Sequence, residues 1–393
     1  MTTPQRTVTL ISALVFGGLL LAMTACGRNR PSSLGPSRSS APAGTEVSSP
    51  ELRTTDGTLA THNFEAELAL AEGQHAAHPG DLAKTRALVD RLFTRAQFFG
   101  RLADYDEAGV LSQAAVAMTP ASGDAHLLRA RSLAALHEFA EATAELDRAA
   151  ALGADRQVVR HAQVGIWEAT GEIDRALADL TAGRRARPNL PEYALEAGAL
   201  ADKRDFARAE VLFAEARRHY DDVSPFAVAW LEFQEGHMWE SAGRSDRARP
   251  LFESALSRLP GYAAAAGHLA HLLAAFDDPE GRERARTLLE PLLTRTDDPE
   301  YVGQLGALYR QMQRTADGDR LIEQARRSYE ALIARHPAAF YDHAARFYLH
   351  FGGNPRRALD FAQRNLAIRQ TPEARDLVAE AELATLQTAS VSR

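Results

Sequence analysis

Between residues 85 and 370 the apolar positions fall three and four residues apart, and no sustained polar–apolar alternation interrupts them. That period places side chains on one face of an α-helix, so the chain is expected to be all-α. Ala209/Phe213 and Ala248/Phe252 show the spacing, and Ala142/Leu146, Ala176/Leu180 and Ala285/Leu289 repeat it with Leu second. Aligned on the alanine, the pattern recurs at Ala108, Ala142, Ala176, Ala209, Ala248, Ala285, Gly318 and Ala358, in steps of 33 to 40 residues. Tyr105, Phe139, Ile173 and Phe206 stand three positions before the first four alanines. Pro120, Pro188 and Pro260 close three units, because proline cannot continue a helix.

Self-similarity at this period predicts stacked helix pairs. The small residue lets the two helices of a pair approach, and the larger ones fill the space between neighbouring pairs. The two steps of 39 and 37 residues predict longer helices or loops near residues 221–225 and 277–281. The helix after Gly318 should run to Arg335, before Pro337. A leading helix over 61–79 would carry Phe64 and Leu68 on one face. Thr371-Pro372-Glu373 reads as N-cap, first-turn proline and N-terminal acid. The repeat array is therefore placed at 61–371, and a capping helix with its tail at 372–393.

The N-terminal region has a different pattern. Val8 to Met23 is uncharged and apolar but shorter than the roughly 20 residues of a spanning helix; that length suits a secretory signal. Cys26 follows directly and is the only cysteine, so disulfides and Cys-ligated metals are excluded. Residues 27–57 are rich in Ser, Pro, Gly and Thr, a composition that cannot offset its ordering entropy and reads as a tether.

Composition changes the picture little. Hydrophobic residues make up 45% of the chain and the net charge is -7. The basic residues are Arg except for Lys84 and Lys203. No basic excess points to nucleic acid.

Two resemblances sharpen the reading. Val302, Leu305, Gly306 and Tyr309 in YVGQLGALYRQ, with the A-x3-F pairs above, resemble the tetratricopeptide repeat, Val302 standing in the tryptophan place. The resemblance implies a right-handed α-solenoid of about eight helix-turn-helix repeats, with a concave surface that binds a protein or peptide. Carried onto this chain, the groove positions hold Phe93 and Gln97, Leu127 and Arg131, His161, Phe233 and His237, Arg310 and Arg346. Trp230 and Glu240 lie one turn from the Phe233 pair, and partner contact is expected around Trp230 and Phe233. The stretch Met23-Thr24-Ala25-Cys26-Gly27 resembles a bacterial lipobox. It implies a signal peptide over 1–25, lipidation of Cys26, and a tether over 26–60. An envelope location follows, at the outer membrane facing the periplasm.

No phosphate loop, nucleophile elbow or H-E-x-x-H helix occurs, so no catalytic role and no cofactor is expected. His268 and His271, three apart on one helix, could present two imidazoles to a metal, which keeps a metal-binding or enzymatic protein as the alternative. Scattered solvated histidines explain them more simply. His75 and His78 fall at a helix end, where the dipole favours a cation. The acid pairs Asp221-Asp222 and Asp297-Asp298 read as caps or loop residues.

Overall fold

The computed structural model describes residues 52–275 and 278–391. Cys26, the apolar run before it and most of the tether lie outside the described residues. A leading helix, α1 (Gly57–Ala77), precedes eight helix pairs. These are α2 (Leu82–Phe99) with α3 (Ala103–Met118), α4 (Gly123–Ala135) with α5 (Phe139–Ala151), α6 (Arg156–Thr170) with α7 (Ile173–Ala186), and α8 (Leu190–Asp202) with α9 (Phe206–Arg218). Then follow α10 (Pro225–Ser241) with α11 (Ser245–Arg258), and α12 (Ala263–Ala274) with α13 (Pro279–Leu289) and its one-turn extension α14 (Leu292–Arg295). The array ends with α15 (Pro299–Gln311) and α16 (Thr315–Arg335), α17 (Pro337–His350) and α18 (Pro355–Ile368), and the capping helix α19 (Pro372–Val391). The chain is an all-α solenoid.

The repeat register has a direct physical basis. Ala108, Ala142, Ala176, Ala209, Ala248, Ala285 and Ala358 sit on the second helix of each pair and are fully buried. Gly318 takes the same place on α16, where a Cβ would come within 2.6 Å of the Gly306 carbonyl oxygen. That pair of helices touches backbone to backbone, so even alanine is too large there. The helix carrying Gly318 runs to Arg335, as its pattern implies. The 39-residue step is taken up by a longer first helix, α10, and the loop before it.

Side chains start the helices and left-handed residues turn the corners. Asp81, Ser122, Asp155, Asn189, Asp278, Asp298 and Asn354 each accept a backbone N–H from the first turn of the helix they precede. Within seven pairs the turn passes through positive φ, at Gly100, His137, Gly171, Arg204, Gly243, Gln313 and Gly353.

Successive turns of the superhelix touch. The Asp297 carboxylate accepts from the backbone of Leu102 (2.5 Å) and Ala103 (3.1 Å), capping α3 from 195 residues away. One repeat further on, His137 Nδ1 meets the Ala338 carbonyl at 3.1 Å, across 201 residues. One repeat beyond that, Gly171 lies against the Gln370 backbone. Arg204 then pairs with Asp376 of α19. The first three corners therefore rest on residues 195 to 201 positions later, Arg204 reaches the capping helix, and successive turns of the solenoid are in contact.

This contact between turns corrects the expected N-terminal boundary. α1 begins at Gly57 rather than residue 61, with Asp56 capping Leu59 N. Residues 52–56, read as tether, are docked: Thr55 N donates to Val223 O, and Leu52 O accepts from Arg258. A Cβ on Gly57 would strike the Arg258 carbonyl, so glycine permits this approach.

Candidate functional site

The first helix of each pair lines the superhelix axis, and the axis is mostly filled by the chain's own side chains. Phe93 is buried against Tyr105, with the Arg131 guanidinium 5.3 Å from its ring centre. Arg131 donates to Asp90 at 2.7 Å and is itself buried. Leu127 belongs to a core cluster with Ile166 and Phe139. Gln97 is half-buried. His161 is buried, its Nε2 2.9 Å from Glu192 Oε1. Phe233 packs among Phe252, Tyr262 and His268 with ring centres 5.2 to 5.7 Å apart. An exposed groove row was expected from these residues. The closed superhelix instead makes Phe93, Leu127 and Phe233 core and spends Arg131 and His161 on internal carboxylates. Arg310 leaves the axis altogether: it is exposed and paired with Asp319 on the following helix.

His268 is not a solvated histidine. It is buried and its Nδ1 lies 2.6 Å from Glu240 Oε2. Burial pulls its pKa down, but the Glu240 carboxylate outweighs this and holds it above the usual histidine value. Among the described residues no group of three or more His, Cys, Asp or Glu side chains is placed to hold a metal ion. His75 bonds Thr85 at 3.1 Å and fixes the end of α1 to α2. Asp298 caps its own helix, whereas Asp297 caps one a full superhelical turn away.

Part of the axis is open. A cavity of about 210 Å³ lies between the first helices of the third, fourth and fifth pairs (α6, α8 and α10) and the capping helix. Its walls include Gly165, Ala169, Ala194, Gly198 and Ala201, whose small size creates the space. A Cβ added at Gly198 would meet nothing within 4 Å. Trp230, His237 and Arg346, three of the expected partner residues, border this space. Gly165 and Gly198 occupy the repeat position that holds Gln97, Arg131 and His237 in other pairs. Sequence reasoning passed over them because it looked for side chains that reach a partner. The signal was the missing side chain at a groove position in two successive repeats.

The cavity's charges are unevenly partnered. Arg346 pairs with Glu373, Arg369 with Asp342 at 2.9 Å, and Arg204 with Asp376. Glu168 is buried and its Oε2 has no hydrogen-bond partner. Burial, and then the nearby Asp202 carboxylate, push its pKa well above the usual carboxylate range. Asp202 faces the cavity's water, yet the enclosing protein and Glu373 push it up to about 7. His237 Nε2 is also buried without a partner, and burial with His268 and Arg346 nearby lowers its pKa to about 3, so the ring is neutral.

Several solved structures align with the chain at low identity. The APC/C hetero-tetramer Cut9–Hcn1 aligns at 18% identity over 76% of this chain and 55% of that one, with a TM-score of 0.45. The human IFIT1 dimer with PPP-AAAA aligns at 16% over 67% and 68%, TM-score 0.44, and yeast Tom70 at 16% over 84% and 60%, TM-score 0.44. The chain thus spans little more than half of the first of these. No curated protein sequence matches it. Residues 241–309, from the end of α10 to α15, match the family model of the tetratricopeptide repeat.

Proposed function

We propose that the chain is a non-catalytic scaffold of the cell envelope that recognises a protein or peptide partner at the open stretch of its axis. The observation that supports this most is the cavity itself. Inner residues such as Phe93, Leu127 and Phe233 are buried in the chain's own contacts, and here open volume lies beside the unpartnered Glu168 and His237. Enclosed pockets with an apolar lining and a few convergent polar groups are the usual form of a recognition site. The tetratricopeptide match over 241–309 fits the same reading, since such arrays present inner surfaces to partners. The lipid anchor at Cys26 belongs to the proposal: it rests on the apolar run Val8–Met23 and the Thr24-Ala25-Cys26-Gly27 stretch. Acyl chains there would hold the solenoid at a membrane, with the outer membrane's periplasmic face as the proposed site.

The test is site-specific photo-crosslinking in the native envelope. A photoreactive residue at Gly198 should capture one defined partner, and the same residue at Arg310 should not. Equal capture from both positions would remove the axial opening as the recognition site. Separately, Cys26→Ala should leave the membrane fraction; retention after a high-salt wash would refute the lipid anchor.

A further inference from the structure

The charges around the open cavity are unevenly matched. Each of its three arginines pairs with a carboxylate, Arg346 with Glu373, Arg369 with Asp342, and Arg204 with Asp376, although the Nε of Arg346 and of Arg369 finds no acceptor. Glu168 and Asp202 are left over, and no ion pair among the described residues engages either of them. Both also sit in the last turn of their helices, α6 and α8. That end of a helix carries the negative pole of the backbone dipole, which disfavours an acid and favours a cation. Glu168 is thus held against burial and against Asp202, Asp202 against Glu373 with Arg369 easing its charge, and both against a helix end. Such an arrangement is costly in the empty molecule and becomes favourable once a positive group lies beside it.

The remaining walls restrict what that positive group belongs to. Leu195, Phe213, Trp230, Met238 and Leu377 make much of the lining apolar. An aromatic face such as the Trp230 indole is attracted to a cation as well as to a hydrocarbon. The volume of about 210 Å³ suits a side chain or a small molecule, not a helix. A metal ion would need more ligands than two carboxylates, and no such cluster exists among the described residues.

We infer that the axial cavity binds a primary ammonium or guanidinium group carried on an apolar stem, with the cation held by Glu168 and Asp202. The inference rests on the cavity being the recognition site and names the chemistry of its ligand. The group belongs either to a free organic amine or to a Lys or Arg side chain of a partner peptide. Burial and Asp202 disfavour the charged form of Glu168, and Asp202, enclosed by protein and facing Glu373 and Arg369, is pushed up to about 7, so binding a cation releases protons and affinity rises with pH through neutrality.

Calorimetry on the full chain tests this with n-pentylamine, n-pentanol and pentanoate, which share a stem and differ in charge. A second arm uses a short capped peptide with one central lysine and its norleucine counterpart. At least one ammonium probe should bind about ten-fold more tightly than its neutral counterpart, with proton release near pH 7 and no binding of pentanoate. Glu168→Gln and Asp202→Asn should each remove most of that preference while leaving binding of the neutral stem and the circular dichroism unchanged. These isosteres strand no partner charge, so loss of fold is not expected of them. Preference for pentylamine assigns a free amine, and preference for the lysine peptide alone assigns a partner side chain. The inference is overturned if neither ammonium probe is preferred, or if both variants keep the preference. In either of those cases capture from position 198 would leave the scaffold reading standing; absence of that capture with amine binding intact would remove the scaffold and keep the cation site.

Discussion

The first helices α8 and α10 are neighbours that both border the axial cavity, yet they meet the axis with side chains of very different size. α10 sends Phe233 and Glu240 inward, where Phe233 meets Phe252 and Tyr262 and Glu240 bonds His268. α8 presents Ala194, Gly198 and Ala201 and leaves open volume. The helix-pair contact beneath is the same in both, with Ala209 and Ala248 fully buried in equivalent places. The lesson is that two sets of positions act independently. The small residue on the second helix fixes the fold, and the inward residue on the first helix decides whether the axis is core or cavity.

The largest expected effect comes from emptying the filled side. Phe233→Ala should cost about 3–5 kcal/mol, because a large buried ring leaves a void that its neighbours only partly fill. Trp230→Ala should cost less, since that ring already borders open space. Urea unfolding of both variants checks the order, and equal losses would blur the distinction between core and cavity walls.

Acid should act on the histidines that the closed axis buries. His137 is held neutral, its pKa lowered to about 4 by burial and by Arg369, and His237 to about 3. An unfolded chain protonates these rings near pH 6.5 while the folded one does not, so stability falls as pH drops from about 6.5 towards 4. His343 has the opposite sign: burial opposes its charge, but Asp342 and Glu300 raise it to about 9. Its contribution is present below about pH 6.5 and is lost as pH rises through 9. The unfolding midpoint should fall on the acid side, and replacing His237 by Gln should flatten that limb. An unchanged acid limb would mean that this ring is solvated.

The contact between superhelical turns is a smaller term. Asp297→Ala removes a cap that α3 receives from a distant loop and should cost about 0.5–2 kcal/mol. Hydrogen exchange should rise at the start of α3, far from the mutation in sequence. Protection lost only around residue 297 would argue that the turns do not rest on each other.

The smallest effect concerns a corner. Gln313 is exposed and sits at a φ of 62°, where a side chain costs what glycine avoids. Gln313→Gly should raise stability slightly, by at most about 1 kcal/mol, in thermal unfolding.

The repeat register was readable because each helix pair buries its own alanine within a short span of chain. Ala142 and Ala176 had to be small for a local reason, and local reasons leave a local spacing. The state of the axis was not readable in the same way. Phe233 and Arg131 look like groove residues in a single repeat, and closure of the superhelix, through contacts such as His137 with Ala338, makes the axis core. No spacing within one repeat records how tightly the superhelix winds. The docked stretch 52–56 was missed likewise, because its partners Val223 and Arg258 belong to a distant turn. Nothing in the sequence singles out Glu168 or Asp202, since their lack of a partner shows only in three dimensions.

The central claim, that the first helices fill the space between them at one place and leave it open at another, is tested most directly by comparing two single-methyl additions. A Cβ at Gly267 on α12 would fall 2.7 Å from the ring of Tyr301 on the next first helix, α15, whereas one at Gly198 on α8 meets nothing within 4 Å. Measured by urea unfolding, Gly267→Ala should destabilise by about 1–3 kcal/mol through overpacking, and Gly198→Ala should stabilise by up to about 1 kcal/mol through helix propensity. Opposite signs support the account; a loss at Gly198 as large as that at Gly267 would contradict it.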